Sequence, residues 1–223
     1  MLSPGTLYNH VGTESDADRA FVRQLAWRDF RAHLHDENPD LVDKAMRPAY
    51  DEIAWRDDEA GFDAWKQGMT GFPLVDAGMR QLLAEGWMHN RVRMIAASFL
   101  VKDLLIDWRR GERWFRHQLL DADISQNVGN WQLVAGTGAD TAPYFRIFNP
   151  VSQSKRFDPD GEYIRRWIPE LLTVPTDFIH EPWTGGPIEL AAWGAAEYPP
   201  PIVDHALARA RTLDAYEIAL ASG

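Results

Sequence analysis

Two short stretches of this 223-residue chain set chemically capable groups side by side. The stretch "WMHNRVRM" at 87–94 brings together an indole, an amide, two guanidiniums and a thioether, in Trp87, Asn90, Arg91, Arg93 and Met94. The stretch "DADISQN" at 121–127 supplies two carboxylates and an amide, Asp121, Asp123 and Asn127, with Trp131 close behind. Together they suit a flat, polar-edged, partly anionic cofactor. Arginine and asparagine edges meet ring heteroatoms, carboxylates accept from N–H and O–H groups, and indoles form walls. Taken singly, each residue has a plainer reading: Asp121 and Asp123 as helix caps, Arg93 as a structural ion pair, Trp87 as core.

Other chemistries are poorly represented. The chain has no G-x-S-x-G, H-E-x-x-H, phosphate-loop or dinucleotide-binding glycine pattern. Its seven histidines are not at metal-ligand spacings and it has no cysteine, so no metal site is expected and no disulfide is possible. His89 and His117 read as cap or surface residues. The longest apolar stretch, 94–101, is too short to span a bilayer, and the start lacks a signal-peptide pattern, so a soluble cytoplasmic protein is expected.

The elements that must position these groups read as helices. Phe21, Leu25, Phe30 and Leu34 recur at near-helical spacing and predict a helix over 16–35, after a loop-like opening. A short helix, a Gly-Phe-Pro turn and a helix over 73–85 follow, with Pro73 in a first turn and Gly86 at the C-terminal end. The segment 88–108 is apolar around nearly its full circumference, as in a helix buried in a bundle. Arg91 and Arg93 in its first turn oppose the helix dipole, which implies a partner outside the helix. Another helix is expected after Gly111, and 121–150 reads as a polar run following it. Beyond Pro143, turns alternate with one short helix over 161–167, and a proline-rich connection leads to a final amphipathic helix. No alternating strand appears, so the expected class is all-α with long ordered loops.

The net charge of −10 argues against a polyanionic partner until its distribution is read. Residues 64–120 hold 9 bases and 5 acids, whereas 1–63 hold 14 acids and 7 bases. A locally positive middle can meet phosphates, or be only a solvated helical face. Ten tryptophans, without a fixed period, are expected mostly in packing.

The blocks "TGFPLVDAGMRQLLAEGWMHNRVRMIAASFLVKDLLIDWRRGERWF", "DADISQNVGNWQ" and "APYFRIFNPVSQSKRFDPDGEYIRRWIPEL" closely resemble the C-terminal flavin-binding domain of the DNA photolyase and cryptochrome family, nearest to microbial cyclobutane pyrimidine dimer photolyases. The resemblance runs from about Phe21 to Ala208. It implies FAD as cofactor and ultraviolet-damaged DNA as partner, with dimers repaired by light-driven electron transfer and the lesion flipped out of the duplex. It also implies roles. Trp131, Trp108 and Trp55 match the tryptophan chain that carries electrons to the flavin, and Asn127 the asparagine facing flavin N5. Asp121 and Asp123 match the acidic pair around the flavin, Arg93 its arginine partner, and Phe21 and Arg28 further flavin contacts, with Phe21 in place of a tryptophan. Trp27 and Met94 match the lesion pocket. Asn90, Arg91 and Gln153 match backbone or lesion contacts, with Gln24 and Trp87 placed on the same DNA side.

Three departures from the pattern stand out. Gln24 replaces a glutamate bonded to the lesion, and Leu133 replaces a second lesion-pocket tryptophan. The α/β antenna domain and the "TSxLS" segment that wraps the FAD phosphates have no counterpart, Leu2 to Pro4 matching a later "LSP". Residues 1–20 are therefore expected to be a truncated N-terminal segment, 21–208 the flavin-binding domain and 209–223 its terminal helix. A monomer is expected, with any antenna domain or chromophore supplied by another chain. A cryptochrome-like photoreceptor without repair, or a helical domain that no longer retains FAD, remain the alternative readings.

Overall fold

A computed structural model describes residues 3–139 and 146–222, with Ser222 as backbone only. Leu2 and the "APYF" part of the third block lie outside the described residues. Eleven α-helices are described: α1 Pro4–Val11, α2 Asp16–Glu37, α3 Glu59–Gln67, α4 Pro73–Glu85, α5 Asn90–Ser98, α6 Trp108–Gln118, α7 Ile124–Ala135, α8 Pro150–Phe157, α9 Glu162–Trp167, α10 Pro187–Ala192 and α11 His205–Ser222. No strand occurs among the described residues, and the all-α expectation holds.

Helix α4 is the hub, contacting α3, α5, α8 and α9. Its bounds match the sequence reading, with Pro73 in the first turn and Gly86 left-handed at φ 64°. Asp76 lies fully buried on it and receives Thr70 N–H at 2.8 Å, Thr70 Oγ–H at 2.6 Å, Gly71 N–H at 3.0 Å and Tyr198 O–H at 2.6 Å. Burial pushes this carboxyl up, and the four donors pull against it. The Gly-Phe-Pro turn is thereby tied to the C-terminal segment.

Several sequence expectations need correction. The expected long helix over 88–108 is an α-helix that ends at Ser98 in a π turn, Phe99–Asp103, where Leu104 N–H reaches back to Phe99 C=O at 3.0 Å. Leu105 then takes a positive φ of 54°, and the chain reverses into α6. All-round apolarity reported burial correctly but not continuity, because a π turn buries the same side chains. Helix α6 begins at Trp108, before Gly111, with Asp107 accepting from Arg109 N–H. The opening loop contains α1, and the turn-rich region after Pro143 contains α8 and α10 besides the short helix α9. The final helix starts at His205 and passes residue 208 unbroken.

The polar run after α6 is also a helix. Asp123 caps α7 by accepting Gln126 N–H at 3.1 Å, and Gly136 ends it at φ 76°. Asn127, Val128, Trp131, Gln132 and Ala135 make its buried stripe at helical spacing. Helix α2 forms as predicted behind a Ser15–Asp18 capping box, yet none of its residues is buried. It packs chiefly along α7, leaving Phe21 and Phe30 exposed.

Trp65, Trp108 and Trp131 are buried, whereas Trp27 and Trp87 stand nearly half exposed. The Trp131 ring lies against Gly111 of α6, where an added Cβ would collide with the indole and with Leu100. Gly111→Ala is expected to lower stability by about 1–3 kcal/mol through overpacking, read as a fall in the urea midpoint with an unchanged slope.

Candidate functional site

A cleft of about 530 Å³ opens between the start of α5, the end of α6 and one face of α7. Asn90, Arg93 and Met94 come to it from α5, Asp121 and Asp123 from the α6–α7 connection, and Asn127 and Trp131 from α7. Seven of the residues singled out in the sequence therefore line one space, although they come from segments some thirty positions apart.

The polar groups are fixed by identifiable bonds. Arg93 Nε donates to Met88 C=O at 2.7 Å and Nη2 to Asp121 Oδ2 at 2.9 Å. This is the outside partner that an arginine in a first helical turn requires. Asp123 combines capping of α7 with a longer contact to Arg28 of α2 at 3.6 Å. Gln126 Nε2 donates to Arg28 C=O at 2.9 Å, so α2 is strapped to the cleft mouth. The plainer readings of Asp123 and Arg93 are thus physically true and still place both side chains at the cleft.

Asn127 has its amide nitrogen committed. Nδ2 donates to Glu112 C=O at 2.9 Å and to Glu112 Oε1 at 3.0 Å. That leaves the amide oxygen of Asn127 as its remaining acceptor. Glu112 is buried and its carboxyl is pushed up by burial, with Arg116 at 3.3 Å the main opposing influence. The sequence reading missed Glu112, and also Gln126 and Asn130, which line the cleft. A helical reading of 124–135 would have found the last two at i and i+4. Glu112→Ala is expected to cost about 1–3 kcal/mol by removing the side-chain acceptor of the Asn127 amide and leaving it only the backbone C=O of residue 112, with Glu112→Gln milder. Chemical denaturation of both variants checks this ordering.

The other proposed residues lie around rather than in the cleft. Trp108 and Trp55 share the main apolar core with Trp131, Trp108 fully buried and Trp55 partly so. Phe115 meets Trp131 at a ring separation of 5.0 Å, and Trp65 at 6.2 Å. Phe21 and Gln24 are exposed on α2. Trp27 does not join the cleft; it lines a second cavity of about 670 Å³ with Phe30, Met46 and Leu133. Trp87 stands exposed just before α5, so its reading as core is not met. Arg91 lies over the Phe157 ring and Gln153 on α8.

Could this donor set hold a flavin? The acceptors Asp121, Asp123 and Asn127 suit ring N–H and side-chain hydroxyl donors, Arg93 and Asn90 suit heteroatom edges, and Trp131 supplies an aromatic wall. The fit at the ring end is one of donor, acceptor and wall chemistry. Among the described residues no cluster of three or more potential metal ligands occurs. No described helix is long and apolar enough to cross a membrane.

Fold and cleft together define an all-α cofactor-binding domain with a polar-edged, aromatic-walled site. Residues 21–218 match the model of the FAD binding domain of DNA photolyase, and the chain belongs to that family. It is 51% identical to a deoxyribodipyrimidine photo-lyase of Alkalihalophilus pseudofirmus over 222 residues, covering 97% of this chain and 46% of that protein. A deoxyribodipyrimidine photo-lyase of Escherichia coli is 51% identical over 207 residues, covering 92% and 43%. The structure of a bacterial class III photolyase from Agrobacterium tumefaciens superposes with a TM-score of 0.92 at 48% identity, covering 98% of this chain and 47% of that one. A Synechocystis cryptochrome superposes at 0.89 and 37% identity, covering 96% and 46%. The chain thus spans under half the length of the relatives it matches.

Proposed function

We propose that this chain holds FAD and carries out light-driven repair of pyrimidine dimers in DNA, as a deoxyribodipyrimidine photo-lyase. The observation that carries this reading is the convergence of Arg93, Asp121, Asp123 and Asn127 on one cleft walled by Trp131. When bound, the flavin supplies light-driven one-electron chemistry. Arg93, Asp121 and Asp123 orient it, with Phe21 and Arg28 completing the α2 side. Asn127, held by Glu112, offers its amide oxygen to a ring N–H.

Trp55, Trp108 and Trp131 form the route by which an electron reaches the cleft from the surface. The indole N–H groups of Trp55 and Trp108 have no hydrogen-bond acceptor among the described residues, whereas Trp65 donates to Ala96 C=O at 2.9 Å. An oxidised indole without an acceptor keeps its proton, which favours passing the charge on. Trp27 and Met94 stack on or pack against an extruded base, and Gln24, Trp87, Asn90, Arg91 and Gln153 place the strand. Residues 21–208 act as the flavin-binding unit, and 209–223, which continue the helix begun at His205, close it. We further take the protein to work as a cytoplasmic monomer, with any antenna chromophore held outside this chain.

The test is direct. FAD-loaded, reduced protein is mixed with an oligonucleotide carrying a cyclobutane dimer, and one half of the sample is illuminated with blue light. Dimer loss in light over dark is expected. Equal dimer content in both halves, with flavin retained, would overturn repair.

A further inference from the structure

Helix α2 carries a cation without a counter-charge. Arg31 lies one turn after Trp27 and two turns after Gln24, so the three side chains share one face of the helix. Its aliphatic stem runs over Gly129 of α7, where an added Cβ would stand 3.0 Å from Arg31 Cδ. Its guanidinium lies 5.8 Å from the centroid of the Trp27 ring. The side chain is half-buried, and burial pulls the guanidinium below its ordinary value with no carboxylate opposing the shift. Among the described residues it has neither an ion-pair partner nor a hydrogen-bond acceptor, whereas its neighbour Arg28 approaches Asp123 at 3.6 Å.

Arg31 opens onto the second cavity, beside Trp27, Phe30, Leu34, Met46 and Leu133. Gln132 also lines that cavity, but its amide is committed to the carbonyls of Leu41 and Lys44 and to Met46 N–H. Among the described residues, Arg31 is therefore the one charged side chain in an aromatic and aliphatic lining, and all of its capacity is donor. A ligand that satisfies such a site brings a flat apolar body with acceptor oxygens on its rim. A phosphodiester has the oxygens, but it would lose water against Phe30, Met46 and Leu133, which is costly for an anion. A pyrimidine base has the flat body and the carbonyl oxygens, and carries no net charge.

We propose that Arg31 is a specificity-determining residue that donates to the carbonyl edge of the extruded pyrimidine dimer while Trp27 covers its face. The inference rests on the repair reading above and adds to it a residue that the sequence reading did not single out. It also sets a preference. Thymine presents its O4 acceptor where cytosine presents an N4–H donor, and a guanidinium has no acceptor to offer that donor. Dimers of thymine are therefore held more tightly than dimers that contain cytosine.

The experiment measures, in the dark and across a salt series, binding of FAD-loaded protein to three duplexes: undamaged, with a thymine–thymine dimer, and with a thymine–cytosine dimer. Arg31→Met keeps the apolar stem over Gly129 and removes the donors. It should weaken binding to the thymine–thymine dimer by roughly ten- to 150-fold, the worth of a hydrogen bond to a charged group, and weaken binding to the thymine–cytosine dimer less. Affinity for undamaged DNA and the slope of log affinity against log salt should stay at wild-type values, because no phosphate contact is lost. Arg31→Lys keeps a donor without the planar fork and should fall between the two. Equal losses on all three duplexes, with the slope reduced by about 1, would place Arg31 on a phosphate and overturn the proposal. Wild-type dimer affinity in Arg31→Met, with helicity intact, overturns it as well. A wild-type protein that does not distinguish damaged from undamaged DNA instead defeats the dimer-recognition reading on which the proposal stands.

Discussion

Trp131→Phe is expected to abolish light-driven reduction of bound flavin while leaving flavin binding and the fold in place. Trp131 is the only one of the three proposed relay indoles that lines the cleft, so every electron arriving through Trp55 and Trp108 has to pass it. Phenylalanine keeps much of the packing against Gly111 and Phe115 but is far harder to oxidise than indole. The stability cost should be about 1–3 kcal/mol, below the 3–5 kcal/mol typical of truncating a buried tryptophan to alanine. The informative control is Trp65→Phe. Trp65 is as deeply buried and lies next to Trp131, yet its N–H is hydrogen-bonded and it stands outside the proposed chain. It should cost similar stability and leave photoreduction intact. Flash photolysis of both variants, with denaturation curves alongside, separates relay from packing. Loss of photoreduction in Trp65→Phe would mean that the route runs through Trp65.

The second large effect concerns the DNA side. Leu133→Trp should strengthen binding to dimer-containing DNA by about 1–3 kcal/mol, roughly five- to 150-fold, the worth of one base–aromatic stack. Leu133 lines the same cavity as Trp27. Two facing indoles would enclose an extruded base that, in the function proposed above, meets Trp27 on one side only. The opposing influence is overpacking, which would appear as lost stability rather than lost affinity. Competition binding between damaged and undamaged duplexes reads the gain. A gain equal on both duplexes would place the new ring on the strand backbone and exclude a stacking role.

The structure also explains why one part of the site was harder to read than the rest. Local patterns identified α4 because Pro73, Gly86 and an apolar core between them all act within one helix. The run over 121–135 hid its helix because its buried stripe is mixed: Asn127 and Gln132 are polar residues that the interior satisfies through partners distant in sequence. Asn127 bonds Glu112, and Gln132 accepts Met46 N–H and donates to the carbonyls of Leu41 and Lys44. Periodicity counts apolar residues and is blind to polar groups that find partners inside.

Residue types settled a good deal before any fold was known. They determined an all-helical chain, the ends of α4, the need of Arg93 for an outside partner, and a set of donors and acceptors suited to a flavin-like ring. The resemblance of long blocks to the photolyase and cryptochrome family supplied the roles. Tertiary structure alone decided that Asp121 is the partner of Arg93, that Asn127 is held by Glu112 with its oxygen left to accept, and that Trp27 and Leu133 share a cavity apart from the flavin cleft. These are contacts between segments that no local rule connects. They exist because the π turn after Ser98 reverses the chain into α6 and α7 packs against both α5 and α6, which brings two polar clusters from separate stretches to one cleft.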